Sequence, residues 1–313
     1  MTLRVDAEQR LVVSPVRTAP DPRLAIALAR ALVIIEQHSL PTGEIAAFEP
    51  EPGGGQLLTS TPLVSAWVAE ALAFLDPTSS LHVAIGMTGS VFADRVAILR
   101  TRISHFLRWQ QEPSIGWRLH GRGAAGEIDL TTTAWAGCVR LRDAGPSREW
   151  FRNRLIERVR DQAPESALAE ADKTRLHAVA AVADRETVER FGQGLGDHPD
   201  DPWLDHAVAS AWAELPVALR DDAVARTVAQ SCGARLRRRA SEIELSDMVT
   251  ISALLDVERS DAVPADLEGL LIDHLLAGAS NRGTSFRTYP LASPALDCAW
   301  IAAVLIRLAG ANR

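Results

Sequence analysis

Leu296-Asp297-Cys298-Ala299-Trp300-Ile301-Ala302-Ala303-Val304 carries a single charged side chain and has no polar face. A helix that is apolar on every side has to be surrounded by protein. Thr132-Thr133-Ala134-Trp135-Ala136 has the same texture after a polar start. Other segments differ. Phe151, Leu155 and Val159 share one helical face, and so do Val224, Val228 and Cys232, with polar residues between them. Helices of the two kinds alternate along the chain. Half-polar helices alternating with fully apolar ones predict two concentric layers, the first helix of each pair outside and the second inside. Alternation at period two is nowhere sustained, so no long strand is expected.

Six pairs are predicted: 24–37 with 63–75, 92–111 with 129–142, 149–160 with 172–183, 186–191 with 203–214, 221–237 with 244–257, and 266–277 with 294–308. Breakers separate them. The first helix stops before Pro41, and Gly/Pro-rich 49–55 reads as a loop. Thr61 is an N-cap candidate with Pro62 in the first helical turn. Pro113 and Gly145-Pro146 end two later helices. The fold class is therefore all-α, a closed α/α toroid of six inner and six outer helices. Residues 1–20, with the short apolar patch Leu11-Val12-Val13, form an N-terminal arm, and 21–313 a single toroid domain.

Composition fits this. A chain of 313 residues with 47% hydrophobic and 23% charged residues folds around a large core. Its net charge of −7 repels phosphate backbones, so nucleic acid is not an expected partner. The basic run Arg235, Arg237, Arg238, Arg239 reads as a cationic helix end. Cys138, Cys232 and Cys298 lie far apart, without a CxxC, and read as buried thiols in a reducing compartment. The opening MTLRVDAEQR has no early apolar run, and no stretch of about 18 apolar residues occurs. A cytoplasmic protein without a transmembrane segment is expected; peripheral contact with a membrane is compatible with it. Oligomeric state is not written in the sequence.

Specific residues carry a family resemblance. Leu107-Arg108-Trp109-Gln110-Gln111-Glu112-Pro113, followed by Gly116-Trp117, resembles the Gln/Trp repeat "QQxPDGGW" of the terpenoid cyclase and protein prenyltransferase superfamily. Asp129-Leu130-Thr131-Thr132-Thr133-Ala134 resembles the DxDDTA or DxDTTA start of an inner helix in squalene–hopene-type (class II) terpene cyclases. Gly283-Thr284-Ser285-Phe286 with Pro294-Ala295-Leu296-Asp297-Cys298-Ala299 is similar to the final repeat of that family. The resemblance covers most of the chain after residue 20. It implies an α6–α6 toroid that binds an isoprenoid or other apolar chain centrally and, if active, cyclises it as an isomerase or lyase. In the repeat, Gln110 or Gln111 would bond near the start of a neighbouring helix, with Trp117 packed over it.

The chemistry the resemblance implies needs a protonated carboxylic acid in a dry site and aromatic faces for the cations. Parallel inner helices gather their N-termini at one mouth, where Asp129, Asp172, Asp205, Asp247 and Asp297 fall. Thr131 occupies the slot of the family's acid, and a hydroxyl cannot deliver that proton. Asp129, matching the motif's first Asp, is the first candidate, with Glu127 behind it. Each of these acids also suits a helix N-cap. Trp67, Trp135, Trp212 and Trp300 sit on predicted inner helices as candidates to line a cavity. Asp297-Cys298 echoes part of the prenyltransferase zinc site, but the last histidine is His274, so neither metal nor cofactor is expected. His206, beside Asp205, is a further acid/base candidate. A toroid that has lost its acid and binds a lipid or a partner protein is the alternative, and a different enzyme reusing the cavity is a third.

Overall fold

The computed structural model describes residues 4–5, 11–12, 23–51, 53, 55–75, 89–113, 115–143, 148–162, 188–189, 192–193, 195, 201–237, 244–259, 263, 266–277 and 293–311. Ten α-helices dominate these residues: α1 (Leu24–Gln37), α2 (Pro62–Ala73), α3 (Gly89–Gln110), α4 (Leu130–Asp143), α5 (Arg148–Gln162), α6 (Pro202–Glu214), α7 (Asp222–Arg237), α8 (Leu245–Asp256), α9 (Leu267–Ala277) and α10 (Pro294–Ala311). The predicted helix 172–183 lies outside the described residues, as does most of 186–191.

Two short hairpins accompany the helices. β1 (Arg4–Val5) pairs antiparallel with β2 (Leu11–Val12) in the arm, Arg4 opposite Val12. β3 (Ala47–Pro50) pairs antiparallel with β4 (Gln56–Thr59), Ala47 opposite Thr59. The stretch 49–55, expected to be a loop, is thus the tip of a hairpin, closed by the Glu51 amide donating to the Gly55 carbonyl at 2.9 Å. Period two failed to mark β4 because Leu57 and Leu58 are both exposed, leaving no alternation to read.

The helices separate into two layers, as the textures predicted. On α2 every residue from Pro62 to Leu72 is buried, and on α8 Leu245 and all of Asp247 to Leu254 are. On α1 only Leu24, Ala27, Leu28, Ala31, Leu32 and Ile35 are buried, a single stripe. The inner helices α4, α2, α10, α8 and α6 pack side by side in that order. Around them, α3 lies on α2 and α4, α5 on α4, α7 on α6 and α8, and α9 on α10. The first helix, α1, packs on the last, α10, so the two ends of the chain meet in the wall.

Caps set the direction of the inner helices. Thr61 Oγ1 accepts from the Leu63 amide, with Pro62 at the first position of α2. Asp129 Oδ1 accepts from the Thr132 amide at 2.6 Å to start α4, and Asp201 Oδ1 from the Trp203 and Leu204 amides to start α6. The Gln/Trp segment joins α3 to α4. Trp117 is fully buried; its Nε1 donates to the Leu107 carbonyl at 2.8 Å, its amide to Thr133 Oγ1 at 3.0 Å, and its carbonyl accepts from the Asp129 amide. Gln110 Oε1 accepts from the Arg122 amide, in the loop before α4 rather than at its start.

Candidate active site

The centre of the toroid is built in levels, each inner helix supplying residues at helical spacing. On α10 the series is Asp297, Trp300, Arg307; on α4, Thr131, Trp135, Arg142; on α2, Trp67, Glu70, Phe74; on α6, Trp203, His206, Ser210. Steps of three, four and seven keep such residues on one face of a helix. The mouth therefore carries Asp297 and Thr131, a waist carries the tryptophans, and a floor lies below, towards the helix C-termini.

The waist is a packed aromatic cluster. Trp67 stacks on Trp203 with ring centroids 5.0 Å apart. Trp135 meets Trp203 edge to face at 4.9 Å, and Trp300 meets it at 5.5 Å. All four rings are at most 5% exposed, so they fill the space between the inner helices rather than facing a void of their own. Edge-to-face pairs of this kind add about 0.5–1.5 kcal/mol each to the burial itself.

The floor is ionic and draws on all five described inner helices. Glu70 of α2 accepts both terminal nitrogens of Arg142 of α4, at 2.6 and 2.7 Å. Asp256 of α8 accepts from Arg307 of α10 and, at 2.9 Å, from Ser210 of α6. Arg307 also donates to Ser252 and lies 4.5 Å above the Phe74 ring. His206 stands between the two pairs, its Nε2 3.8 Å from Glu70 and its Nδ1 3.5 Å from Asp256. Its ring lies parallel to Trp135 and edge-on to Trp300 at 5.2 Å. Burial pushes the Glu70 carboxyl up, but Arg142 and His206 outweigh burial and hold it well below the ordinary carboxylate range.

Asp297 is in a different state. Its Oδ1 is buried with no hydrogen-bond partner, and burial pushes the carboxyl up to about 7. Thr131 Oγ1 and Thr132 Oγ1, in the first turn of α4, are likewise buried with no hydrogen-bond partner.

No family model matches the chain, and no curated protein does. Among solved structures, a variant of the type II terpene cyclase MstE from Scytonema, in complex with its substrate geranylgeranyl dihydroxybenzoate, aligns with a TM-score of 0.58 at 14% identity, over 92% of this chain and 98% of its own. Apo MstE aligns with a TM-score of 0.56 at 14% identity, over 93% of this chain and all of its own. The chain has the type II terpene cyclase fold.

Within that cyclase fold the predicted residues take distinct places. Trp67, Trp135 and Trp300 meet at the waist. Trp212 does not: it points between α6 and α7, donating to the Asp221 carbonyl at 3.0 Å beneath the Arg220 guanidinium. It borders an outer pocket of about 340 Å³ with Asp222, Arg226 and Arg259. Asp129 is the N-cap of α4, and Glu127 is exposed ahead of it. Asp205 turns outward to Arg235 of α7 at 2.7 Å, its carboxyl raised by burial even so. Asp247 accepts from the Glu244 amide at the start of α8. Sequence reasoning missed Trp203 and, apart from His206, the whole floor. The available signal was an ionisable residue within an otherwise apolar inner helix: Glu70, Asp256 and Arg307. All three cysteines are buried free thiols. No helix among the described residues is long and apolar enough to cross a membrane.

Proposed function

We propose that this protein binds an isoprenoid or a similar apolar chain in the centre of the toroid, between mouth and floor, and cyclises it by protonation. The observation that carries this reading is the convergence of four tryptophans from four inner helices on one point. Aromatic faces gathered in a water-free centre stabilise cations as they develop along a chain. The type II cyclase whose fold the chain shares has a prenylated substrate, which supports the same chemical class here. Because the rings are in mutual contact, entry of a ligand has to part them.

A second reading, binding without turnover, is favoured by Thr131 at the family's acid position. One experiment separates the two. The protein is incubated with squalene, farnesyl diphosphate, geranylgeranyl diphosphate and geranylgeranyl dihydroxybenzoate, with binding followed by tryptophan fluorescence and products by mass spectrometry. Quenching with a cyclised product is expected. Quenching without product selects the binding protein, and no quenching by any probe refutes both.

A further inference from the structure

We propose that Asp297 is the residue that hands the proton to the bound chain. The inference rests on the cyclase reading above and assigns its acid to a helix that the family-like motif does not include. Three observations converge on it. Asp297 lies on the inner helix α10, one turn towards the mouth from Trp300, and on the same side of that helix. Trp300 shows where this side points, because its ring meets Trp203 and His206 of α6 across the centre. Finally, Oδ1 is buried and receives no hydrogen bond.

The other carboxylates at the mouth and floor of the inner helices each accept a hydrogen bond through at least one oxygen, although Asp205 Oδ1, like Asp297 Oδ1, is buried without a partner. Glu70 and Asp256 each hold an arginine of the floor, Asp205 holds Arg235, Asp247 closes the first turn of α8, and Asp129 caps α4. A carboxylate held as the anion by such bonds carries no proton to give at neutral pH, and Asp205, which burial raises despite Arg235, turns outward to α7 and away from the centre. Asp297 is raised by burial, which keeps a proton on it near neutral pH.

The step balances without a co-reactant other than water. The Asp297 hydrogen goes to the CH carbon of the terminal (CH3)2C=CH double bond, whose π pair forms the new C–H bond. The other carbon of that bond becomes a tertiary cation beside the tryptophans. The π pair of the next double bond closes the ring onto it. A C–H bond next to the final cation then breaks; its electron pair makes the new double bond and its proton passes to water. The Asp297 carboxylate takes a proton back from water, and nothing is oxidised or reduced.

The test compares the parent with Asp297→Asn and Asp129→Asn, using squalene and geranylgeranyl diphosphate as probes. Asp297→Asn is expected to quench tryptophan fluorescence with unchanged affinity and to lose at least about a hundredfold in product, equivalent to about 2.7 kcal/mol of barrier. Asp297→Glu restores part of the product. In the infrared, the parent minus Asp297→Asn difference shows a protonated carboxyl band that bleaches as pH rises through about 7. Product that persists in Asp297→Asn, or an Asp297 ionised down to pH 5, overturns the inference and leaves the cyclase reading standing. Absence of product from the parent removes both.

Discussion

Trp203 and Trp212 stand nine residues apart on α6 and face opposite ways. Nine residues of α-helix amount to about two and a half turns, so only one of the two can look into the centre. It is Trp203, which three other tryptophans and His206's neighbours enclose, whereas Trp212 is tied to Asp221 in the outer layer.

Truncation should separate them. Trp203→Ala removes the ring on which the waist is assembled, costs about 3–5 kcal/mol and leaves a void in the centre. Its affinity for an apolar probe such as farnesol should change by about tenfold. Trp212→Ala also lowers stability but leaves that affinity within about twofold. Urea unfolding and fluorescence titration measure both quantities. Equal effects of the two variants on probe binding would show that the waist is not where the chain sits.

The Glu70–Arg142 pair ties α2 to α4 at the floor. Removing one partner of a fully buried pair costs about 3–5 kcal/mol. Arg142 is itself 38% exposed, so solvent reaches part of the carboxylate left behind and Arg142→Ala should cost about 2–3 kcal/mol. The double variant Glu70→Leu/Arg142→Ala should lose less than the two single losses added together. A double-mutant cycle in urea checks this, and strict additivity would mean that the pair contributes no coupling.

The two central carboxyls pull stability in opposite directions with pH. Asp297, raised from an ordinary 3.8 to about 7, contributes nothing below both values, where it is protonated folded or unfolded. Between them the folded state keeps a proton that the unfolded state has released, so stability falls from about pH 4 to about pH 7 and stays low above. The gap is worth on the order of 4 kcal/mol at most. Glu70, held below its ordinary 4.5, adds stability above that value, and the gain is lost as pH falls through its lowered folded value. Denaturant midpoints from pH 3 to 8 should show Asp297→Asn abolishing the decline towards neutrality, and Glu70→Gln weakening the protein mainly above pH 4. A curve for Asp297→Asn parallel to the parent's would place Asp297 among ordinary ionised carboxylates.

Trp117 joins the end of α3 to the start of α4 through its indole, amide and carbonyl. Trp117→Ala should cost about 3–5 kcal/mol, read as a large fall in melting temperature. Gly121→Ala should also destabilise. Gly121 has φ +83°, where an L side chain is strained, and its added Cβ would meet Gln110 Oε1 at 2.8 Å. A melting temperature unchanged in both would show that the segment is not part of the wall.

Periodicity and punctuation alone determined the helices of the described residues and their layering. Leu24–Gln37 is read to the residue, and Thr61 with Pro62 marks the start of α2, because burial stripes and caps are local properties of a helix. Trp67, Trp135 and Trp300, expected to line a cavity, lie on inner helices and pack around Trp203. The rest depends on azimuth. Which face of α6 turns inward decides between Trp203 and Trp212, and it is set by how α6 packs against α8 and α7. Pairings such as Glu70 with Arg142, 72 residues apart, and Asp256 with Arg307, 51 apart, arise only when α2 packs beside α4 and α8 beside α10. The carboxyl states were decided at that level too. Asp129, Asp205, Asp247 and Asp297 look alike in sequence, each near the start of an inner helix; Asp129 and Asp247 take local donors, the Thr132 and Glu244 amides, whereas only tertiary packing brings Arg235 to Asp205 and leaves Asp297 Oδ1 buried without a donor.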